Sequence, residues 1–548
     1  MSVTLLLIIA FGSPFLVYFC GKISSGLRDG LAVVLSLVLT ALVALIYGQS
    51  LEETFYAGFL GLSLIIRLNM LSWLFAIAIT TISTLALIFS LQYIRGKERT
   101  DFYYLIMLLV NAGMLGIVLS GDFVSFYIFW EIMSFSAFLL ISYNRGAALA
   151  AGMKYIIMSL AGSVAMLVGI LSLYASFGTL LFSELAVHMS VASTGYIVFI
   201  LILFCSAFGI KNAIIPFHPW LPPAHSEAPS PFSAVLSGIL IKMGTYGFVL
   251  LLYVVIGLET FLRLSVFQSI LNILAAITIL IPTFIALLQN DAKRLLAWST
   301  VGQAGYIILG IAFGTSLSMA GGLFHFLNHA TFKALLFLAV GAVEYRTNGV
   351  RDLNSLGGLI KRMPITFIAV LIGTCGVIGV PLTNGFVSKW FIYKTLILEG
   401  SPFLAFAALF GTWGTILYSY KLIHHVFLGQ LPEQYTDIKR APFSMGVPMG
   451  ILSFAILLFG VLPGIPLHAI NAIGESFGFA SLEITIWGTA AEVGVLNTVN
   501  IFAAMLVVGL IVWIIFKAGP KVILVSQEDT YAAGAAIPKE RYQYTVDF

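Results

Sequence analysis

The stretch FGIKNAIIPFHPWLPPAHSEAPSPFSAVLSG, residues 208–238, decides how the whole chain is read. It holds Lys211, His218, His225, Glu227 and six prolines, yet strongly apolar runs flank it on both sides. Proline removes a backbone donor and clashes with the preceding turn, so a helix crossing here is broken near Pro216. Broken backbone at membrane depth persists only where protein or a water-filled cavity satisfies it. The stretch therefore predicts a polar pocket inside an apolar chain, with Lys211 as its charge.

The surroundings support that setting. Of 548 residues, 60% are hydrophobic and 9% charged, with a mean hydropathy of +1.05, whereas soluble domains carry roughly 25% charged residues. This is the composition of an integral membrane protein. The net charge of +4 is spread over short connections rather than gathered in a patch with interleaved aromatics, which excludes a nucleic-acid surface. Cys20, Cys205 and Cys375 lie far apart in apolar runs and form no metal, cluster or disulfide motif. The first residues lack a basic leader and read on into further spans, as a retained first helix does.

A crossing takes about 20 apolar residues. About 15 such runs occur: 3–20, 30–48, 68–93, 101–119, 123–142, 155–177, 195–218, 231–257, 265–289, 298–313, 319–344, 364–397, 403–428, 445–463 and 497–516. The fold class is an all-α polytopic membrane protein. Alternating the connections places Lys22, Arg28, Arg95, Lys97, Arg99, Arg145, Lys293, Arg294, Arg346, Arg351, Lys361, Arg362, Lys439, Arg440 and Lys517 at one end, and little beyond Arg67 and Arg263 at the other. The positive-inside rule makes the first end cytoplasmic, with the N-terminus outside and the polar tail 517–548 inside.

The buried lysines repeat. Lys154 and Lys333 are 179 residues apart, Lys211 and Lys389 178, and Lys242 and Lys421 179. The offset covers five spans, an odd number, so the second copy enters the membrane from the opposite side and the repeat is inverted. Pro216 follows Lys211 by five residues and Pro381 precedes Lys389 by eight, so the seventh and twelfth spans are both expected to break.

Charges inside a bilayer cost several kcal/mol and normally face a partner or a cavity. Glu131, Lys211, Lys242 and Lys389 all sit among apolar residues. Desolvation favours the neutral amine and a nearby carboxylate the ammonium, so a lysine that alternates between pairing with Glu131 and standing alone is a proton switch. A static ion pair pinning two helices is the blander reading. Lys154 and Lys421 lie near span ends, where snorkelling competes. In HFLNHATFKALLF, His325, His329 and Lys333 recur every four residues and line one helical face over about 12 Å, suited to proton transfer with water. A two-histidine metal site lacks the glutamate of HExxH and a third ligand. His218, His225 and Glu227 either admit protons or cap a proline-rich turn. Asp291, Lys293 and Arg294 read best as a solvated salt-bridge cluster at a helix start. No phosphate loop or catalytic serine context appears, which argues against an enzyme acting alone.

PFHPWLPPAHSEAPSPFSAVLSG, FWEIMS, DAKRLLAWSTVGQAGY, HFLNHATFKALLF and GFVSKW together resemble the antiporter-like membrane subunits shared by respiratory complex I, the multisubunit cation/proton (Mrp-type) antiporters and the membrane-bound energy-converting hydrogenases and sulfur reductases. The similarity covers roughly residues 60–465. It implies three N-terminal helices (1–100), two inverted five-helix repeats (101–257 and 265–428), C-terminal helices (445–516) and a cytoplasmic tail (517–548). It also implies roles: Glu131 as the functional glutamate, Lys211 its partner, Lys242 the bridging lysine, His325, His329 and Lys333 the central relay, and Lys389 the exit-side lysine. The last span and the tail ending RYQYTVDF look more like the hydrogenase and sulfur reductase subunits than the minimal antiporter subunit.

What the resemblance implies for function is a proton- or cation/proton-translocating subunit of a redox-driven membrane complex of a prokaryotic cell membrane. No cofactor is expected in this chain; iron–sulfur or nickel–iron centres belong to partner chains, among them a cytoplasmic redox arm. Two alternatives stand beside it: a subunit of a sodium/proton antiporter without redox drive, and a non-conducting membrane scaffold.

Overall fold

A computed structural model describes residues 2–59, 62–490 and 495–519, with side chains described for all of these except 55–59, 62 and 63. The tail beyond 519, including RYQYTVDF, lies outside the described residues.

Among the described residues, fourteen helices are long and apolar enough to cross a membrane: Val3–Ile23, Ser25–Leu45, Met70–Tyr93, Thr100–Leu119, Phe123–Ile141, Ala147–Phe177, Thr194–Asn212, Ser230–Val255, Ser265–Leu287, Ala292–Ala312, Ser316–Arg346, Pro402–Phe427, Phe443–Val461 and Thr498–Ala518. One expected crossing, the twelfth, is missing from this set because it comes in two pieces, Pro364–Ile378 and Asn384–Leu398. Each of the 15 runs thus corresponds to helix, and the expected break in the twelfth is present.

The seventh crossing also breaks where proline requires it. Thr194–Asn212 ends at Ala213, whose φ of 55° leaves the helical region; a turn containing Pro216 follows, then the short helix Leu221–Glu227. The freed backbone is satisfied by protein: the Trp220 indole donates to Ile210 O (2.8 Å) and Ile215 N donates to Thr278 Oγ1 of the ninth span (3.1 Å). That is what a break at membrane depth needs.

Burial sorts the helices. The apolar stretches of the eighth and eleventh spans are buried and that of the tenth nearly so, whereas the second is largely unburied and the last is exposed apart from its first turn. A helix apolar all round yet buried inside protein is a core helix. Lys242, His325, His329 and Lys333 lie on the eighth and eleventh of these, while Lys211 and Lys389 are buried on the broken seventh and twelfth spans.

The two polar ends are each knit together by contacts between alternate connections. At the basic end, Arg99 donates to Tyr143 O (2.5 Å), Asn144 to Glu227 O (3.0 Å), Gln92 to Tyr345 (2.8 Å) and Arg346 to Arg440 O (2.6 Å). At the other end Ile65 N donates to Asp122 (2.8 Å) and Gln268 to Phe313 O (2.7 Å).

Several elements lay outside the hydropathy reading. An antiparallel hairpin, Leu51–Phe59 with Leu62–Leu68, fills the second connection. Helices Phe182–Val191 and Gly464–Ser476 and a small sheet of Ile484–Thr485, Gly488–Thr489 and Leu496–Asn497 cover the same end. All are too short to register as crossings. The sixth span starts at Ala147, so Lys154 lies two turns inside it and faces outward. Lys421 donates to Leu287 O at the end of the ninth span (2.6 Å), a helix C-cap.

Candidate functional site

The site is a file of buried lysines and histidines threaded through the central helices. Lys211, Lys242, Lys333 and Lys389 are each at most 2% exposed, and His225, His325 and His329 are fully buried. Buried ammonium groups require acceptors, and the structure supplies a different set to each.

Lys211 ends the first half of the broken seventh helix, where the helix dipole favours a cation. Its Nζ donates to Ser134 Oγ (2.8 Å), Tyr155 OH (3.0 Å) and Ser159 Oγ (3.4 Å), and it lies over the rings of Trp130 and Tyr155. Glu131 is one turn from Ser134 on the same helix and half-buried, with Oε1 lacking a hydrogen-bond partner among the described residues. No direct Glu131–Lys211 ion pair within 4.0 Å is found among the described residues. The expected partners share a neighbourhood, but the lysine is held by the Ser134 and Tyr155 hydroxyls rather than by the carboxylate.

Lys242 follows a π-helical turn, Leu236–Leu240, and donates to Ser237 O (2.9 Å). Such a widened turn frees a carbonyl that an α-helix would occupy, and these turns concentrate at functional sites. Ser237 Oγ lies 2.8 Å from Thr300 Oγ1 of the tenth span, and Thr300 donates to Leu296 O (2.9 Å). Lys333 from the eleventh span donates to that same Leu296 O (3.3 Å) and to Ser299 Oγ. Lys242 and Lys333 are thereby joined by Ser237, Thr300 and Leu296.

His325 stands between Gln303 and Ser388: Nε2 is 3.1 Å from Gln303 Oε1 and Nδ1 is 2.9 Å from Ser388 Oγ. Ser388 is the sequence neighbour of Lys389. Asn328 braces the same place, donating to Asn384 O (2.7 Å) and Ser388 Oγ (3.1 Å). His329, between His325 and Lys333, has no partner for either ring nitrogen among the described residues.

Lys389 reaches back across the twelfth-span break. It donates to Val377 O (2.9 Å), Ile378 O (3.1 Å) and Thr412 Oγ1 (3.2 Å), and lies 4.8 Å from the centre of the Tyr306 ring. The first half-helix ends at Gly379, whose φ of 87° suits glycine. Pro381 sits in the turn between the halves.

Near the basic end, His225 stacks on Phe337 at 4.5 Å and neither ring nitrogen has a partner among the described residues. His218 is half-buried beside Trp298 (5.3 Å). Glu227 lines an open polar pocket of about 350 Å³ with Ser226, Asp291, Arg294 and Arg351. Here the structure departs from the solvated-cluster reading. Asp291 pairs with Arg351 (3.2 Å), but the Lys293 side chain is only 2% exposed and turns inward to Ala228 O (2.6 Å) and Glu344 (3.9 Å). The connection at Ala228, between the short helix and the eighth span, covers it and removes it from water.

Sequence reasoning did not single out Ser134, Tyr155, Ser237, Ser299, Thr300, Gln303, Asn328, Ser388 or Thr412. Each is a hydroxyl or amide inside an apolar span, which is the signal that marks them. Among the described residues no group of three or more His, Cys, Asp or Glu is placed to hold a metal ion.

Residues 120–415 match the family described as NADH:quinone oxidoreductase/Mrp antiporter, transmembrane region. The chain is 33% identical over 392 residues to NADH-quinone oxidoreductase subunit N of Desulforudis audaxviator, covering 69% of this chain and 77% of that one. It is 31% identical over 469 residues to Na(+)/H(+) antiporter subunit A1 of Staphylococcus aureus, covering 80% of this chain and 57% of that longer protein. The fold is similar to a chain of the membrane-bound sulfane sulfur reductase, an archaeal respiratory membrane complex, with a TM-score of 0.90 and 31% identity over 99% of this chain and 89% of the other. A multi-pass helical chain with buried lysines and histidines and these relatives belongs to the NADH:quinone oxidoreductase/Mrp antiporter family, as an antiporter-like subunit of a membrane complex.

Proposed function

We propose that this chain moves protons, alone or in exchange for sodium, through Glu131, Lys211, Lys242, Lys333, His329, His325 and Lys389, driven by redox chemistry on partner chains. The observation that carries the reading is the bonded bridge from Lys242 through Ser237, Thr300 and Leu296 to Lys333, because it joins the lysines of the two halves without a gap of apolar side chains. The domain reading goes with it: spans 4–8 and 9–13 act as two inverted units, each broken at its proline, and the basic end faces the cytoplasm, with the N-terminus outside. His218, His225 and Glu227 form the intake at that end.

In this mechanism, a change in the charge near Glu131 alters whether Lys211 holds a proton. The disturbance passes from Lys242, held at Ser237 O, to Lys333, held at Leu296 O, through the contacts of Ser237 and Thr300 that join them. Neutral His329 and His325 carry the proton on, and Lys389 releases it by way of Thr412. Moving one charge against 100 mV requires ~2.3 kcal/mol, within the several kcal/mol that separate buried charged and neutral states. The electron carriers, iron–sulfur or nickel–iron centres, would reside on a cytoplasmic arm of other subunits.

The sulfur reductase likeness, extending over almost the whole chain including the last span, favours redox drive. The antiporter relative supports a second reading, exchange of sodium for protons without redox input. Ion movement by the intact complex in sealed vesicles, with pH and sodium probes, separates them. Native movement that follows redox turnover and vanishes in Lys211→Ala supports the proposal. Exchange without any redox substrate that still needs Lys211 replaces it, and an unaffected variant makes the chain a scaffold.

A further inference from the structure

One buried charged pair lies outside the file just described. Glu344, near the end of the eleventh span, accepts hydrogen bonds from Ser230 Oγ (2.5 Å) and Tyr93 OH (3.1 Å) and lies 3.9 Å from Lys293 Nζ. Its side chain is 14% exposed and that of Lys293 2%. Four parts of the chain meet there: the third span through Tyr93, the start of the eighth and the connection before it through Ser230 and Ala228, the tenth through Lys293 and the eleventh through Glu344.

The geometry continues inward along one helix. Ser230 packs on Gly341, where a Cβ would lie 2.5 Å from Ser230 Cβ. One turn further in, Phe337 carries the stacked ring of His225. One more turn reaches Lys333. Glu344 and Lys333 are eleven residues apart, about 16 Å along the helix, with His225 between them. At the outer side is the polar pocket bounded by Ser226, Glu227, Asp291, Arg294 and Arg351.

Resting on the proton reading above, we propose that Glu344 is the carboxylate that loads protons into the central relay, with Lys293 as its counter-charge and His225 as the next acceptor. A water at the basic end gives its proton to Glu344, forming an O–H bond on the carboxylate and leaving hydroxide to be neutralised by bulk buffer. Loss of the negative charge leaves Lys293 held by Ala228 O alone, to which it already donates (2.6 Å). The Glu344 O–H bond then breaks as a proton passes by bridging water to a neutral ring nitrogen of His225, and the carboxylate regains Lys293. His225 in turn passes the proton towards Lys333.

A static latch is the competing role for the same pair, and a double variant distinguishes them. The intact complex in sealed vesicles is assayed for substrate-driven proton movement with Glu344→Gln, Lys293→Gln, the two combined, Glu344→Asp and Lys333→Met. Glu344→Gln keeps an acceptor for Ser230 and Tyr93 but carries no proton, and should reduce movement on the order of a hundredfold. The combined variant leaves no lone buried charge, so a latch would recover and a loading site stays inactive. Glu344→Asp should keep measurable movement. Native rates in Glu344→Gln or in the combined variant, beside loss in Lys333→Met, overturn the assignment of Glu344 alone. Native rates in Lys333→Met as well would overturn the proton path itself.

Discussion

Lys389 Nζ lies 2.9 Å from Val377 O, joining the second half of the broken twelfth span to the end of the first. The residue therefore closes the helix break that the chain needs for its polar interior, and also offers the proton-carrying amine of the proposed path. The two roles are separable because one needs a donor and the other needs a group able to lose a proton.

Lys389→Met removes the donor and leaves Val377 O and Ile378 O short of it, at a cost of about 1–3 kcal/mol. Lys389→Arg keeps five donors and a permanent charge. We expect the methionine variant to lower the thermal midpoint of the complex and the arginine variant to leave it nearly native, while both stop proton movement. Native transport in the arginine variant would remove Lys389 from the path.

Between the Ser237 carbonyl that holds Lys242 and the Leu296 carbonyl that holds Lys333, the link depends on one contact of two hydroxyls, those of Ser237 and Thr300. Ser237→Ala and Thr300→Val each delete one of them, and the pair together should show a coupling of about 0.5–3 kcal/mol in a double-mutant cycle on stability. Strictly additive effects would mean the 2.8 Å contact between the two hydroxyls carries no energy.

Gly244 lets the eighth span approach the seventh beside Lys211. A Cβ there would meet Phe208 O at 2.5 Å and Asn212 N at 2.8 Å, both backbone atoms that cannot swing away. Gly244→Ala should therefore cost about 1–3 kcal/mol as overpacking, read as a lower unfolding midpoint, and displace Lys211. An unchanged midpoint would show that the two helices slide apart freely.

Glu53, on the hairpin, anchors the first span by accepting from Val3 N (2.9 Å), Thr4 N (2.9 Å), Thr4 Oγ1 (2.7 Å) and Ser2 Oγ (2.7 Å). Burial pushes the carboxyl up, but the hydrogen bonds from Thr4, Ser2 and Val3 outweigh it and hold it at about 2, against an ordinary 4.5. A lowered value in the folded state means the anchor stabilises fully above the ordinary value and is lost as pH falls from 4.5 towards 2. Hydrogen exchange at Val3 and Thr4 should accelerate relative to a distant reference helix as pH falls through that window, and Glu53→Gln should abolish the change. Equal protection in the native and Gln proteins throughout would rule out the anchor.

How much of this was legible in the sequence differs by feature. The crossings follow from local hydropathy, since each helix must hide its own backbone groups from lipid whatever its neighbours are. The breaks follow from Pro216 and Pro381, whose missing N–H groups act within a turn. Buried charge was legible for Lys211, Lys242, Lys333 and Lys389 because each stands in the middle of an apolar run. Lys293 was not, since it follows Asp291 at a helix start and reads as a surface residue until Ala228 and Glu344 are packed against it.

Composition, span lengths and the positions of proline and lysine by themselves determined a many-helix membrane protein with polar groups at two helix breaks, because these depend on interactions within a few residues along the chain. Only the tertiary structure decided what each charge meets: Ser134 and Tyr155 for Lys211, Gln303 and Ser388 for His325, Glu344 for Lys293. Hydrogen bonds act over about 3 Å, and residues separated by up to 77 positions come that close only when the helices carrying them have packed.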